Sequence, residues 1–134
     1  MSGVAVVRAL LVASAPLTSV VSAARISAGV LPVGTAIPSI GVMEVSSSDR
    51  NKPKPGLTTH VRDRVQVTVM AANYVQQKQL IRLVRSACKN YIGDIAGVTE
   101  VTVHTDGRGP DFDDVDAGLY MQTQDFLVEF NETT

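Results

Sequence analysis

Hydrophobic and polar side chains alternate most regularly between residues 61 and 72. The small apolar positions are Val61, Val65, Val67, Val69 and Ala71. The positions between them are Arg62, Arg64, Gln66, Thr68 and Met70. A period of two over this length predicts a strand with one buried face and one solvent-facing face. Asp63 is the one break in the apolar row.

A helical pattern follows directly after this strand. Asn73 stands ahead of the pattern and Gln76 comes three residues later, which is close to the spacing of a capping box. The apolar stripe consists of Leu80, Ile81, Val84, Ala87, Cys88 and Tyr91. Gln77 lies largely off this stripe, and Gly93 is a suitable C-terminal stop. The pattern predicts one long helix over about residues 74–91.

The N-terminal segment is also apolar, but Arg8 interrupts it. Apolar residues recur at helical spacing through its first 15 positions, and Ser2 is a candidate N-cap. A signal peptide would have positive charge ahead of an uninterrupted apolar stretch. A bilayer span needs about 20 apolar residues. The pattern therefore favours an amphipathic N-terminal helix and no membrane segment.

Shorter apolar runs predict the remaining strands, at residues 25–28, 39–46, 98–103 and 119–130. Two polar segments predict long loops at 47–60 and 105–118, the first of which contains Pro53 and Pro55. Strands in runs that are broken by a helix indicate the α+β class. We expect a single domain over residues 1–134, with a mostly antiparallel sheet and the helix at 74–91 packed on one face.

Composition excludes several kinds of protein. The chain has 134 residues, 45% of them hydrophobic, and a formal charge of −1. This near-zero net charge argues against a protein that binds nucleic acid through an overall positive charge. One Cys excludes an intrachain disulfide framework and fits synthesis in a reducing cytoplasm. Two His and one Cys are too few for a four-ligand His/Cys zinc site. No cofactor is predicted.

The acidic segment 111–116 contains Asp111, Asp113, Asp114 and Asp116. A helix–loop–helix calcium site needs ligands at positions one, three and five, Gly at six and Glu at twelve. No start position in this segment satisfies that spacing. A small metal- or ligand-binding module that uses residues 111–116 stays open as an alternative.

Enzyme chemistry has little support in the sequence. Cys88 lies on the apolar stripe of its helix, where Cys behaves as a small hydrophobe. A hydrolase with Asp111 or Asp113 as base is the weakest alternative, because a solvated carboxylate keeps an ordinary pKa. We expect that the protein is not an enzyme.

Several segments, taken in order and spacing, resemble the tail-completion (tail-terminator) proteins of long-tailed bacteriophages and prophage-like elements. They are Leu31-Pro-Val-Gly with Ile37-Pro-Ser-Ile, Arg64-Val-Gln-Val-Thr-Val, the helix from Tyr74 to Arg85, and Gly109-Pro-Asp-Phe-Asp-Asp followed by Gly118-Leu-Tyr-Met-Gln-Thr-Gln-Asp-Phe. The resemblance covers nearly the whole chain.

The resemblance implies a structural virion protein that is made in the host cytoplasm. Such a subunit forms a ring, usually a hexamer, on the head-proximal end of the tail tube, ends tail elongation and joins the tail to the head. Its partners are other copies of itself, the tail tube protein and the neck proteins, and DNA passes through the lumen without sequence-specific binding. A neck or head-completion connector on the head side of the same junction is the alternative.

Charge is distributed unevenly in a way that suits a ring. Residues 1–67 carry a net charge of +4 and residues 68–134 carry −5. A closed ring needs two different complementary surfaces on every subunit. We therefore expect one group of side chains to meet another on a neighbouring copy or a stacked ring. The first group is Arg50, Lys52 and Lys54, and the second is Asp111, Phe112, Asp113, Asp114 and Asp116. The polar face with Arg62, Arg64, Gln66 and Thr68 is a candidate channel lining or outer surface.

Overall fold

The computed structural model describes residues 2–29, 36–50, 58–114 and 118–133. Within these ranges the chain forms three α-helices and seven strands of one sheet. The helices are α1 (Ser2–Ala13), α2 (Ala15–Thr18) and α3 (Tyr74–Cys88). The strands are β1 (Ile26–Ala28), β2 (Ser39–Arg50), β3 (Thr58–Ala71), β4 (Ile92–Ile95), β5 (Val98–Arg108), β6 (Phe112–Asp114) and β7 (Leu119–Thr133). The predicted α+β class is confirmed.

The sheet is built around its two longest strands. β3 and β7 pair antiparallel along their length, from Thr58 opposite Thr133 to Ala71 opposite Tyr120. The full order is β1-β2-β3-β7-β5-β4, and β6 pairs with the first residues of β7 beyond the end of β5. Among the strands in the described ranges, only the short β1 runs parallel to its neighbour, β2. The expectation of a mostly antiparallel sheet is confirmed.

Both longer helices cover the same face of the sheet, where the apolar row of β3 lies. Val65, Val67 and Val69 are fully buried there. The two largest buried side chains, Phe126 and Phe130, come from the same face of β7. Burial of one such aliphatic or aromatic side chain contributes roughly 1.5–3 kcal/mol. The alternating pattern thus fixes which face of the sheet the helices cover.

Asp63 is buried in this otherwise apolar row, with 2% of its surface exposed. Its Oδ2 accepts a hydrogen bond from the backbone N–H of Gly3 at 3.1 Å. Its Oδ1 accepts one from the Ser47 hydroxyl at 2.5 Å. Because the first N–H groups of a helix lack intrahelical acceptors and carry partial positive charge, the start of α1 is a favourable partner for a carboxylate. The break in the pattern therefore marks the place where α1 is tied to the sheet.

Helix α3 departs from its prediction in two ways. It ends at Cys88 rather than near residue 91, because Asn90 takes a left-handed conformation with φ 55°. Gln77, predicted to lie off the buried stripe, is fully buried, and its Nε2 donates to the carbonyl oxygen of Met121. This contact joins α3 to β7, while the buried Oε1 of Gln77 has no hydrogen-bond partner among the described residues.

The predicted loops at 47–60 and 105–118 are wrong in their bounds. Ser47–Arg50 continues β2 and Thr58–His60 begins β3, with Arg50 opposite His60. Residues 105–108 complete β5, and Phe112–Asp114 forms β6. Polar side chains do not prevent pairing here, because the backbone supplies the hydrogen bonds. Pro53 and Pro55 lie outside the described residues.

No helix in the described ranges has the length and apolarity that crossing a bilayer requires.

Replacing Gly3 with Ala tests the tie between α1 and Asp63. A Cβ at position 3 would lie 2.5 Å from Oδ2 and 2.7 Å from Cβ of Asp63. We expect G3A to lower the free energy of unfolding by about 1–3 kcal/mol, because the helix must shift away from the buried carboxylate. Urea denaturation measures this. G107A is the matched control, since a Cβ at Gly107 meets nothing within 4 Å and should leave stability almost unchanged.

Candidate functional site

The face of the sheet opposite the helices carries the four polar residues predicted to face solvent. Because the side chains of β3 alternate, Arg62, Arg64, Gln66 and Thr68 all stand on this open face. Arg64 is exposed and the other three are half-buried. The suggestion that this face is a channel lining or an outer surface stays a prediction.

Two ion pairs cross the open face between β3 and β7. Arg62 lies directly opposite Glu129, and its Nη2 is 2.8 Å from Oε1 of that carboxylate. Arg64 reaches diagonally to Asp125, with Nη2 at 2.8 Å from Oδ2. Its Nε is also 3.2 Å from Oδ2 of Asp106 on β5. The two arginines are therefore shared among three carboxylates from two other strands.

These pairs shift the ionisation of their members. The hydrogen bond from Arg62 holds the pKa of Glu129 below its usual range, although partial burial acts in the opposite direction. The hydrogen bond with Asp125, helped by the charge of Asp106, raises the pKa of Arg64. Arginines that are paired with carboxylates attract phosphate groups less strongly than unpaired arginines do. The open face is thus nearly balanced in charge, which does not favour tight binding of nucleic acid.

At the acidic segment, the structure describes the side chain of Asp111 in detail. The Lys78 ammonium is 2.6 Å from Oδ1 of Asp111, and the Tyr74 hydroxyl donates to Oδ2 at 3.0 Å. Lys78 also donates to Oε1 of Gln122 at 3.1 Å. The contact with Lys78 is the main reason why the pKa of Asp111 is lowered. Sequence reasoning missed this cluster, although Tyr74 and Lys78 are four residues apart on one side of a predicted helix.

The other predicted interface residues are described in part or not at all. Phe112, Asp113 and Asp114 form β6, whose backbone pairs with Leu119–Met121 of β7. Their side chains, and those of Lys52, Lys54, Asp116 and Arg50, lie outside the described part of the structure. Arg50 is placed by its backbone at the end of β2.

Arg50 and strand β6 lie at opposite ends of the sheet. Arg50 pairs with His60 at one end of β3, whereas Phe112 pairs with Met121, which lies opposite Met70 near the other end. Ten residues of strand separate His60 from Met70, which corresponds to about 33 Å. Arg50 is therefore too far from the acidic segment of its own chain to contact it.

Cys88 lies in the core, as the sequence predicts. It is fully buried, and burial raises the pKa of its thiol to about 12. The thiolate, which is the nucleophilic form, is therefore scarce at neutral pH. Among the described residues, no three His, Cys, Asp or Glu side chains are grouped so as to hold a metal ion.

Comparisons with known proteins identify the fold but no family. No protein-family model matches the chain, and no curated protein matches it in sequence. Solved structures do match. One is a chain described as "Virion of native gene transfer agent (GTA) particle", with a TM-score of 0.76 and 14% sequence identity. The match covers 98% of this chain and 97% of that chain. The two chains thus share one fold over their whole length, at low sequence identity.

The pairing of Arg62 with Glu129 predicts a change in acid stability. Because the pKa of Glu129 is lower in the folded state, the pair stabilises the protein above the unfolded pKa of about 4.3, and this contribution is lost as pH falls through the folded pKa. We expect R62Q to flatten the decline in unfolding free energy below about pH 4.5, by less than about 1 kcal/mol because the pair is partly exposed. Urea denaturation at several pH values measures this. R82Q, which removes an exposed charge elsewhere, should keep the wild-type slope.

Proposed function

We propose that this protein is a structural component of a phage-like virion and acts as a tail terminator. In this proposal it forms a hexameric ring on the head-proximal end of the tail tube, ends tail elongation and joins the tail to the head. The observation that carries the proposal is the likeness, over 98% of this chain, to a chain from a gene transfer agent virion. The ordered sequence segments that resemble tail-completion proteins supply the more specific role.

The charge distribution supports assembly into a closed ring. Each subunit of such a ring offers one surface to the copy on its left and a different surface to the copy on its right. Arg50 and strand β6 lie near opposite ends of β3, about 33 Å apart along the sheet. They are thus available to different neighbours, either within one ring or between stacked rings. Charge pairs of this kind set orientation and register more than affinity.

The open face of the sheet suits a DNA channel that must not retain its cargo. Arg62 and Arg64 are paired with carboxylates, so phosphate groups gain little by replacing those partners. Gln66 and Thr68 add uncharged polar groups on the same face. We propose that this face lines the lumen, while the remaining surfaces meet the tail tube protein and the neck proteins. The proposal involves no catalysis and no cofactor.

Particles made without this protein test the assignment directly. We expect tails of irregular and excessive length that are not attached to heads, because nothing stops tube growth or completes the junction. Electron micrographs of particles from cells that lack the coding sequence measure tail length and attachment. Re-expression of the wild-type chain is the control. Normal tails with leaking or empty heads would instead indicate the neck connector, and normal infectious particles would contradict both roles.

Reversal of charge in the acidic segment tests the proposed contact. We expect D113K/D114K to reduce the yield of joined particles at least about tenfold, since a loss of 1.4 kcal/mol at the interface has this effect. Circular dichroism should show an unchanged fold. A suitable control is Q79K/S86K, which adds positive charge to exposed positions of α3. Unimpaired joining by D113K/D114K would show that the acidic segment makes no important contact between copies.

A further inference from the structure

The outer edge of β5 is unpaired near the C-terminal end of the strand. β4 pairs with β5 as far as Thr102, and the N–H of Val103 then donates to the carbonyl oxygen of Tyr91. From residue 104 to residue 108, no other strand in the described ranges pairs with this edge. Because alternate residues of a strand direct their backbone groups to the same side, Thr105 also directs its N–H and carbonyl oxygen outward. The edge thus offers backbone hydrogen bonds to an extended segment of another chain.

A cavity of about 100 Å³ opens beside this edge, on the side of the sheet that the helices cover. Arg108 of β5 lies on this side because it is opposite Gln124, which is buried. Arg85 reaches the cavity from α3 and is half-buried, whereas Arg108 is exposed. Two arginines from different elements therefore meet at one opening. The full lining consists of Arg85, Thr105, Asp106, Gly107, Arg108 and Gln124.

Neither arginine of the cavity is neutralised within the described part of the chain. The ion pairs found there belong to other cations, which are His60, Arg62, Arg64 and Lys78. Asp106 also lines the cavity, but its Oδ2 is 3.2 Å from Nε of Arg64, which stands on the open face. The cavity is therefore electropositive and suits a carboxylate, which arginine binds through charge-assisted hydrogen bonds.

Gln124 forms part of the cavity wall and holds the backbone next to it. Its Nε2 donates to the carbonyl oxygens of Gly107 and Asp125, at 3.1 Å and 3.0 Å. Its buried Oε1 has no hydrogen-bond partner within the described ranges. An unused acceptor favours a ligand that brings an N–H together with a carboxylate, as a peptide does. A phosphodiester brings acceptors alone, so these groups favour a peptide over nucleic acid.

We infer that the edge of β5 at residues 104–108 is a docking site for an extended acidic segment of another virion protein. The segment pairs with the backbone of Thr105, and one of its Asp or Glu side chains enters the cavity between Arg85 and Arg108. Charge complementarity selects that side chain, and the strand edge fixes its position. This inference rests on the proposed function, because it names one of the surfaces that meet the tail tube or neck proteins.

Photo-cross-linking in assembled particles tests the docking site. His104 is exposed, immediately precedes Thr105 and stands on the open face, outside the cavity. We expect a benzophenone amino acid in place of His104 to cross-link to another virion protein, because side chains on adjacent strands lie about 5 Å apart. Mass spectrometry of the cross-linked peptide should show an Asp or Glu close to the cross-linked position. Cross-links to a second copy of this chain or to DNA would overturn the inference.

Neutral substitutions separate the cavity from the general charge of α3. We expect R85Q/R108Q to remove the cross-link from residue 104 and to lower the yield of joined particles about tenfold. R82Q/K89Q removes the same charge from exposed positions that do not line the cavity, and should change neither result by more than about twofold. Equal losses in the two variants would overturn the site. Circular dichroism checks that both variants fold, and the cross-link in the wild-type background does not depend on them.

The outcomes also separate the inference from the proposed function. Particles that contain the protein and join normally, yet give no cross-link from residue 104, would overturn the docking site and leave the tail-terminator role intact. Absence of the protein from particles would overturn the proposed function, and the inference with it.

Discussion

The register between β3 and β7 is the constraint on which the other features depend. These strands supply both the buried row and the charged open face, and side chains alternate with a period of two. A slip of one residue would turn Val65 and Val67 to solvent and bury Arg64. The same register places Arg62 opposite Glu129 and sets the two ends of the sheet about 33 Å apart. Core, ion pairs and the separation of charge thus have a single geometric origin.

Local sequence patterns predict the elements whose structure is set by residues close together in the chain. β3 alternates regularly apart from Asp63, and α3 begins at an Asn73 side chain that accepts from the Gln76 N–H, as the capping spacing indicates. β4 was missed because four residues after a helix carry too little periodicity to be recognised. The extensions of β2 and β3 were missed for a different reason. Their side chains are polar on both faces, and only the partner strand reveals that the backbone is paired.

The pairing of charged side chains at the site depends on contacts between residues far apart in the chain, so the sequence alone could not predict it. The partners of Asp63 are 60 and 16 residues away, and Arg62 meets Glu129 across 67 residues. Composition shows that acids and bases are present but not which of them meet. The prediction of a polar face on β3 needed only alternation. The neutralisation of that face emerges only from the register.

The contact between Gly3 and Asp63 also has a consequence for the order of folding. Helix α1 leaves the ribosome before the sheet does, and its anchor is synthesised 60 residues later. An isolated helix of 12 residues is marginal in water, so α1 gains stability when its apolar face packs in the core and its N-terminus meets Asp63. Closure of so long a segment is entropically costly and slow compared with formation of a neighbouring hairpin. We therefore expect β2 and β3 to pair before helix α1 packs on the sheet.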